Sequence, residues 1–113
     1  MNKKELIKNV TFSEPHVLSD LVEYEKGRVV SRTFAQNSSI SLTLFAFDQG
    51  EGLSTHAASG DAMVQVLDGE ALLTIGGKEV RAGKGEIVVM PADVPHSVNA
   101  VKPFKMLLIV VKA

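Results

Sequence analysis

The amino-acid sequence predicts an all-β fold, a sandwich or barrel built from short strands. Roughly ten short apolar segments follow one another, and turn-forming residues separate them about every 8–12 positions, as in β-sandwiches. No long stretch with helical periodicity and no internal repeat competes with this pattern. A chain of 113 residues is long enough for a single hydrophobic core, so we expect one domain over residues 1–113.

Composition narrows the classes of function. Hydrophobic residues make up 45% of the chain and charged residues 22%, as in ordered globular proteins. The net charge of -1 offers no basic surface for nucleic acid or an anionic membrane, and the absence of cysteine excludes disulfides and thiolate sites. The start MNKKELIKNV lacks the apolar core of a signal peptide, and no apolar run approaches the ~20 residues of a membrane helix. We therefore expect a cytoplasmic protein with neither nucleic acid nor membrane as a partner.

The first part of the chain, residues 1 to about 26, is expected to form an arm that precedes a barrel over residues 27–113. Within the arm, residues 3–9 favour one or two helical turns. Val17–Tyr24 mixes polar and apolar residues, which favours an extended segment. Lys26 and Gly27 form a turn signal that ends the arm.

The first two barrel strands are predicted at Arg28–Ala35 and Ile40–Phe47. Side chains of the second alternate between two faces, with Ile40, Leu42, Leu44 and Ala46 on one and Ser41, Thr43, Phe45 and Phe47 on the other. Two phenylalanines on the otherwise polar face indicate that this face is covered too, and a partner subunit is one way to cover it. Phe104–Val111 is also apolar on both faces, so we expect a homodimer, the commonest symmetric assembly.

The remaining strands are separated by turns that glycine and proline mark. Asp68-Gly69 and Gly76-Gly77 are tight-turn signals, and Pro91 ends a strand because proline cannot donate to a ladder. The strands predicted in this part are a short one opened or joined by His56, then Ala62–Leu67, Ala71–Ile75, Lys78–Arg81, Ile87–Met90, His96–Val101 and Phe104–Val111.

Two stretches place histidines at strand ends. In Gly85–His96, GEIVVMPADVPH, an apolar strand stops at a proline, and a turn around Asp93 leads into the histidine. In Gly50–Gly69, His56 comes at the start of a strand. Histidines in these positions are expected to point into the space that the strands enclose.

The two stretches together resemble the paired motifs of the cupin family. In the first motif, Gly50, His56 and Gly69 match the opening glycine, the first histidine and the closing glycine. Ala58 stands where the family has a second histidine, and Ala62 stands where it has a glutamate.

The second motif matches at Gly85, Pro91 and His96. Asp93 takes the place of a glycine and Ala100 the place of an asparagine. The resemblance implies the cupin jelly-roll barrel, or double-stranded β-helix, of small single-domain bacterial cupins.

The resemblance also implies a metal site. Typical cupins hold a divalent ion with three histidines and one glutamate, and leave positions open for substrate or oxygen. His56 and His96 are the metal ligands that remain here, an incomplete set for a weakly held divalent transition metal, whether Zn, Mn, Fe, Ni or Cu. The simpler interpretation is two partly buried histidines that are hydrogen-bonded to backbone or water.

Asp61 is the nearest carboxylate that could complete the set. Strand alternation turns it away from the face of position 62, so a β-bulge at Gly60 would be needed to re-aim it. The residues expected to line the pocket are Ala58, Ala62, Val64 and Val98. The alanines either fill a tight end of the barrel or enlarge an apolar pocket that suits an organic ligand.

Three functions stay open at this point, and fold alone does not choose among them. The favoured one is a protein that binds a small organic ligand inside the barrel, with an optional divalent metal. The second is a metal-dependent enzyme of the oxygenase, isomerase or lyase kind that uses His56 and His96. The third is a structural or regulatory module with a vestigial pocket.

Overall fold

The computed structural model describes residues 6–113. This part of the chain contains nine β-strands and one short 3-10 helix. The helix is Leu18–Leu21, and the strands are β1 (Val29–Gln36), β2 (Ile40–Phe47), β3 (Gly52–His56), β4 (Asp61–Asp68), β5 (Glu70–Ile75), β6 (Lys78–Gly83), β7 (Ile87–Met90), β8 (His96–Asn99) and β9 (Phe104–Val111). The predicted all-β fold is confirmed.

The strands form two antiparallel sheets that pack face to face. One sheet has the order β1-β2-β9-β4-β7 and the other β3-β8-β5-β6. Except for the β1–β2 and β5–β6 hairpins, each strand is followed in the chain by a strand of the opposite sheet, which is the connectivity of a jelly roll. The outer strand β6 also lies against β4.

One end of the space between the sheets is filled by aromatic side chains. Phe47 and Phe104 are fully buried, with ring centroids 4.7 Å apart, and Phe45 stacks on Phe47 at 5.5 Å. Val66 and Ala71 belong to the same cluster and are at most 1% exposed. Burial of each large apolar side chain contributes about 1.5–3 kcal/mol to stability. We call this region the closed end.

The chain turns back tightly at the closed end. Gly69, between β4 and β5, has a φ of +73°, which side chains other than glycine rarely adopt. A Cβ atom there would also come within 2.5 Å of the carbonyl oxygen of Pro103. The glycine that closes the first motif is therefore required by the close packing of this turn on the start of β9.

The two faces of β2 are covered by different parts of the same chain. Phe45 and Phe47 face the second sheet. Leu44 and Ala46 face outward, yet both are fully buried because the N-terminal arm packs over them. The sequence suggested a partner subunit as the cover for the face of Phe45 and Phe47, but the second sheet of the same chain covers this face, and the arm covers the opposite one. Homodimer formation stays a prediction.

The arm is held by an apolar anchor and a small polar cluster. Val22 is 4% exposed and packs in the outer cluster with Leu44. The Lys105 ammonium donates a hydrogen bond of 2.6 Å to the carbonyl of Ser19 and lies 5.0 Å from the Tyr24 ring centroid. The Tyr24 hydroxyl donates to the Asp68 carboxylate at 2.5 Å. Burial, and then this carboxylate, raise the pKa of Tyr24.

Two expectations for the arm are wrong in detail. Val17–Tyr24 is not extended throughout, because Leu18–Leu21 forms a 3-10 helix that directs apolar side chains onto the sheet. Of the expected helical segment 3–9, residues 6–9 form bends instead of a helix, and residues 3–5 lie outside the described part. Within residues 6–113, no helix is long and apolar enough to cross a membrane.

Candidate functional site

His56 and His96 lie side by side on neighbouring strands. His56 is the last residue of β3, not the first of a strand as expected, and His96 is the first residue of β8. The two residues face each other in the antiparallel register, with ring centroids 4.5 Å apart and ring planes 66° from each other. The structure thus brings together the two histidines that the sequence singled out.

A β-bulge in β3 brings His56 to this position. Leu53 pairs with Val98, whereas His56 pairs with His96, so three steps along β3 match two steps along β8. Without the extra residue, alternation would place Leu53 and His56 on opposite faces, and the bulge lets both face the interior. This bulge differs from the one at Gly60 that would have been needed to re-aim Asp61.

The turn that delivers His96 is fastened to the segment after β3. Asp93 has a φ of +63°, and its N–H donates to the carbonyl of Ala58 at 2.7 Å. The N–H of Ala92 donates to the Asp61 carboxylate at 2.8 Å. These two bonds hold the Pro91–Pro95 turn, which leads into His96, against residues 58–61.

The hydrogen bonds of the two rings determine which nitrogen is free. Nδ1 of His56 lies 2.9 Å from the carbonyl oxygen of Ser54, and Nδ1 of His96 lies 3.2 Å from that of Val94. A carbonyl oxygen can only accept, so in each neutral ring Nδ1 carries the hydrogen and Nε2 keeps its lone pair. Metal-binding histidines are held in the same way by a second hydrogen bond. His96 is 4% exposed, whereas His56 is exposed.

Residues 6–113 supply no third protein ligand for the two histidines. Within residues 6–113, no group of three or more His, Cys, Asp or Glu side chains could hold a metal ion. Asp61 does not join the histidines: it is exposed, and its carboxylate accepts from Ala92. Gly60 is glycine because a Cβ atom would clash with the carbonyl of Val111, and no bulge is found there. Rescue of the site by Asp61 is therefore not supported.

The four residues expected to line the pocket occupy two different environments. Ala58 is half-buried in the loop after β3 and is not on a strand that continues from His56. Ala62, Val64 and Val98 are 2%, 0% and 1% exposed and belong to the cluster between the sheets. These three form the floor of the interior near the histidines.

The accessible wall near the histidines consists of other inward-facing residues. Leu53, Ile75, Leu108 and Val110 pack against the inter-sheet cluster but are only half-buried. Thr43, on the inner face of β2, is half-buried as well. These side chains are thus less completely buried than Phe47 and Phe104 at the closed end. We call this region the histidine end.

Sequence reasoning missed the hydroxyl side chains of β2 as site residues. Alternation already placed Ser41 and Thr43 on the face of Phe45 and Phe47, which is the interior face. The sequence pattern instead suggested that a partner subunit covers the face of Ser41 and Thr43.

The jelly-roll connectivity and the paired histidines agree with the cupin class of barrel. Residues 43–111, more than half of the chain, match the model of the Cupin domain family, and the protein belongs to this family. A conserved Streptococcus pyogenes protein of unknown function is 38% identical, with a TM-score of 0.96 over 99% of this chain and 98% of that one. A cupin superfamily protein from Desulfitobacterium hafniense is 29% identical, with a TM-score of 0.89 over 95% of this chain and 98% of that one.

An enzyme is among the more distant structural matches. A salicylate 1,2-dioxygenase variant from Pseudoaminobacter salicylatoxidans is 18% identical, with a TM-score of 0.67 over 74% of this chain and 26% of that one. At this identity the likeness shows a shared fold and nothing about activity.

Proposed function

We propose that this cupin binds a small organic ligand at the histidine end, and that His56 and His96 hold a divalent transition metal that takes part in binding it. One observation supports this most: two adjacent imidazoles are each held through Nδ1, so that Nε2 of each keeps its lone pair.

The spacing of the rings fits a shared ion. Metal–nitrogen bonds are about 2.1 Å long, and the ring centroid lies about 1.1 Å behind the nitrogen. Two imidazoles that bind one ion with a nitrogen–metal–nitrogen angle of about 90–105° therefore have ring centroids about 4.5–5 Å apart. The observed 4.5 Å agrees with the lower limit of this range. When bound, such an ion would supply a Lewis-acidic charge for oxygen donors. Two protein ligands imply weak binding, with the other positions left to water or to the ligand.

A metal-dependent enzyme is the second candidate function. Its supporting observation is the same incomplete donor set, because a substrate could occupy the positions that Ala58 and Ala62 leave without a ligand. Binding is favoured over catalysis because no third protein ligand is present in residues 6–113. Neither proposal depends on homodimer formation or on a cytoplasmic location.

Metal analysis tests the proposed site. Protein purified without a chelating column is analysed by mass spectrometry for metals, and Zn²⁺ is then titrated into the apo protein by calorimetry. We expect one ion for each chain, lost in His56→Ala and in His96→Ala. His16→Ala is the matched control, because this exposed histidine lies in the arm and its Nε2 is next to the carbonyl of Thr11. The control should bind Zn²⁺ as the wild type does.

The other outcomes separate the three functions. If no ion binds under metal-replete conditions, the metal site is excluded and only ligand binding or a vestigial pocket remains. A thermal-shift screen of small organic compounds then distinguishes these two, because a ligand of the folded state raises Tm by mass action. Turnover of a bound compound that requires both histidines would favour the enzyme.

A further inference from the structure

Four hydroxyl side chains lie together on the inner face of the β1–β2 hairpin. Thr33 pairs with Thr43, and their hydroxyl oxygens are 3.3 Å apart. Ser31 pairs with Phe45, whose ring packs in the inter-sheet cluster, so this face points inward. Ser41 follows by alternation. We call Ser31, Thr33, Ser41 and Thr43 the hydroxyl wall.

The hydroxyl wall is on the side of the barrel where β3 lies. β6 and β3 are the two edge strands of the four-stranded sheet. Because β6 lies against β4 of the other sheet, β3 at the opposite edge faces the side of that sheet where β1 and β2 lie. β2 starts and β3 ends at the same end of the barrel, since a short loop joins Phe47 to Gly52 at the other end. The histidines and the hydroxyl wall therefore border the same part of the interior.

The hydroxyl groups keep hydrogen-bonding capacity that the fold does not use. Each hydroxyl offers one donor and two acceptor lone pairs, and the contact between Thr33 and Thr43 uses only part of it. Thr33, Ser41 and Thr43 are half-buried and Ser31 is exposed, so a ligand that contacted them would displace water from them. A wholly apolar ligand would leave these groups unpaired, which costs binding free energy.

Building on the metal site proposed above, we propose that the ligand is a small polyhydroxylated carboxylic acid. Its carboxylate would take the place of the carboxylate that Ala62 lacks and contact the ion held by His56 and His96. Its hydroxyl groups would form hydrogen bonds with the hydroxyl wall. The hydroxyl wall thus selects ligands rich in oxygen, and the ion selects those with a negative charge.

Three six-carbon probes test this assignment by calorimetry on protein kept saturated with Zn²⁺, and titration of each probe into the same Zn²⁺ solution without protein is the blank. D-Gluconate has both a carboxylate and hydroxyls, hexanoate has only the carboxylate, and sorbitol has only hydroxyls. We expect gluconate to bind at least about tenfold more tightly than either of the others, as two ordinary hydrogen bonds would provide. Equal affinities for gluconate and hexanoate, or no binding of gluconate, would overturn the proposal.

Variants assign the preference to particular residues. The double substitution Thr33→Val and Thr43→Val removes both partners of one hydrogen bond, so the fold should be retained. We expect gluconate affinity to fall about tenfold while Zn²⁺ affinity stays the same. Thr74→Val is the control, because Thr74 lies on β5 between inward-facing neighbours and so faces outward. Unchanged gluconate affinity in the double variant would contradict the role of the hydroxyl wall.

Two further measurements keep the test decisive. If the double variant unfolds, Ser41→Ala is used in its place. We expect gluconate affinity to fall several-fold in this variant. Unchanged gluconate affinity would contradict the role of the hydroxyl wall. Zn²⁺ titration of the wild type comes first, because absence of metal binding would refute the proposed metal site, on which this ligand assignment rests. Metal binding without a preference for gluconate would refute only the ligand class.

Discussion

The closed end and the histidine end of the barrel share two sheets but differ in packing and chemistry. At the closed end, Phe47 and Phe104 stack at 4.7 Å and neither is exposed. At the histidine end, inward-facing residues such as Thr43 and Val110 are half-buried, and two imidazoles are 4.5 Å apart. The closed end therefore carries more of the stability, and the histidine end leaves polar groups accessible for binding.

The difference shows how a small domain can accommodate a site. A single core of this size provides a modest surplus of stability, so space left open at one end must be offset by dense packing elsewhere. The arm adds to this packing by burying Leu44 and Ala46 on the outside of the sheet. Substitutions at the closed end should thus affect folding, and substitutions at the histidine end should mainly affect binding.

The largest effect is expected for Phe47→Ala at the closed end. Removal of a fully buried aromatic ring leaves a cavity and should lower the free energy of unfolding by about 3–5 kcal/mol, measured by urea denaturation. Zn²⁺ affinity of the folded variant should be unchanged. Val89→Ala is the control, since Val89 is 55% exposed and should change stability by at most about 0.5 kcal/mol. Equal losses in both variants would mean that Phe47 contributes no more to stability than an exposed side chain does, and that the closed end is not densely packed.

Ala62→Glu should increase the chemical difference between the two ends, because it adds a carboxylate to the interior face of β4. We expect Zn²⁺ affinity to rise at least about tenfold. The apo protein should lose about 1–3 kcal/mol, because the buried carboxylate is then unpaired. The measurements are Zn²⁺ calorimetry and urea denaturation.

Ala82→Glu is the matched control for this prediction. Ala82 is also 2% exposed in the inter-sheet cluster, but it pairs with Ala71 of the closed end. The Ala82→Glu variant should lose stability as Ala62→Glu does, but its Zn²⁺ affinity should not rise. If both variants bound Zn²⁺ alike, the carboxylate at position 62 would not face the histidines.

Asp61→Ala tests whether the turn before His96 is held structurally. Loss of the acceptor for the Ala92 N–H should lower the free energy of unfolding by about 1 kcal/mol and leave Zn²⁺ affinity nearly unchanged. Asp61→Asn keeps an acceptor oxygen and should restore most of the stability. A large fall in Zn²⁺ affinity in both variants would instead identify Asp61 as a metal ligand.

The smallest effect concerns Tyr24, which fastens the arm near the closed end. Its pKa is raised above the ordinary value of 10.0, so the folded protein holds the phenol proton more tightly than the unfolded chain does. The contribution to stability is therefore complete below about pH 10 and is lost as the pH rises toward the folded-state pKa. Tyr24→Phe should cost less than about 1 kcal/mol at pH 7.

The pH dependence provides the check on this assignment. Urea denaturation between about pH 9 and 11.5 should show the stability of the wild type falling toward that of Tyr24→Phe. Parallel decreases in the two proteins would mean that the Tyr24–Asp68 contact contributes nothing to holding the arm.

Much of the fold could be predicted because strands and turns depend on neighbouring residues. The predicted Ile40–Phe47, Ile87–Met90 and Phe104–Val111 coincide with β2, β7 and β9. Alternation of side chains and the positions of glycine and proline are properties of a local segment, so they can be read without knowledge of the partner strand.

The site could be predicted only in part. The motif positions identified His56 and His96, but the bulge between Leu53 and His56 became visible only in the register with β8. The role of Asp61 in holding the turn also depends on Ala92, which lies 31 residues further along the chain. Such contacts between distant segments leave no periodic signal in the sequence.

The sequence by itself determined that this protein is an all-β chain with two histidines at strand ends. Only the tertiary structure decided which face of β2 is the interior one, that the arm covers the other face, and that both imidazoles keep a free Nε2. The physical reason is that strand patterning arises between adjacent residues. Whether a strand face lies inside or outside the barrel depends on which distant segment of the chain packs against it.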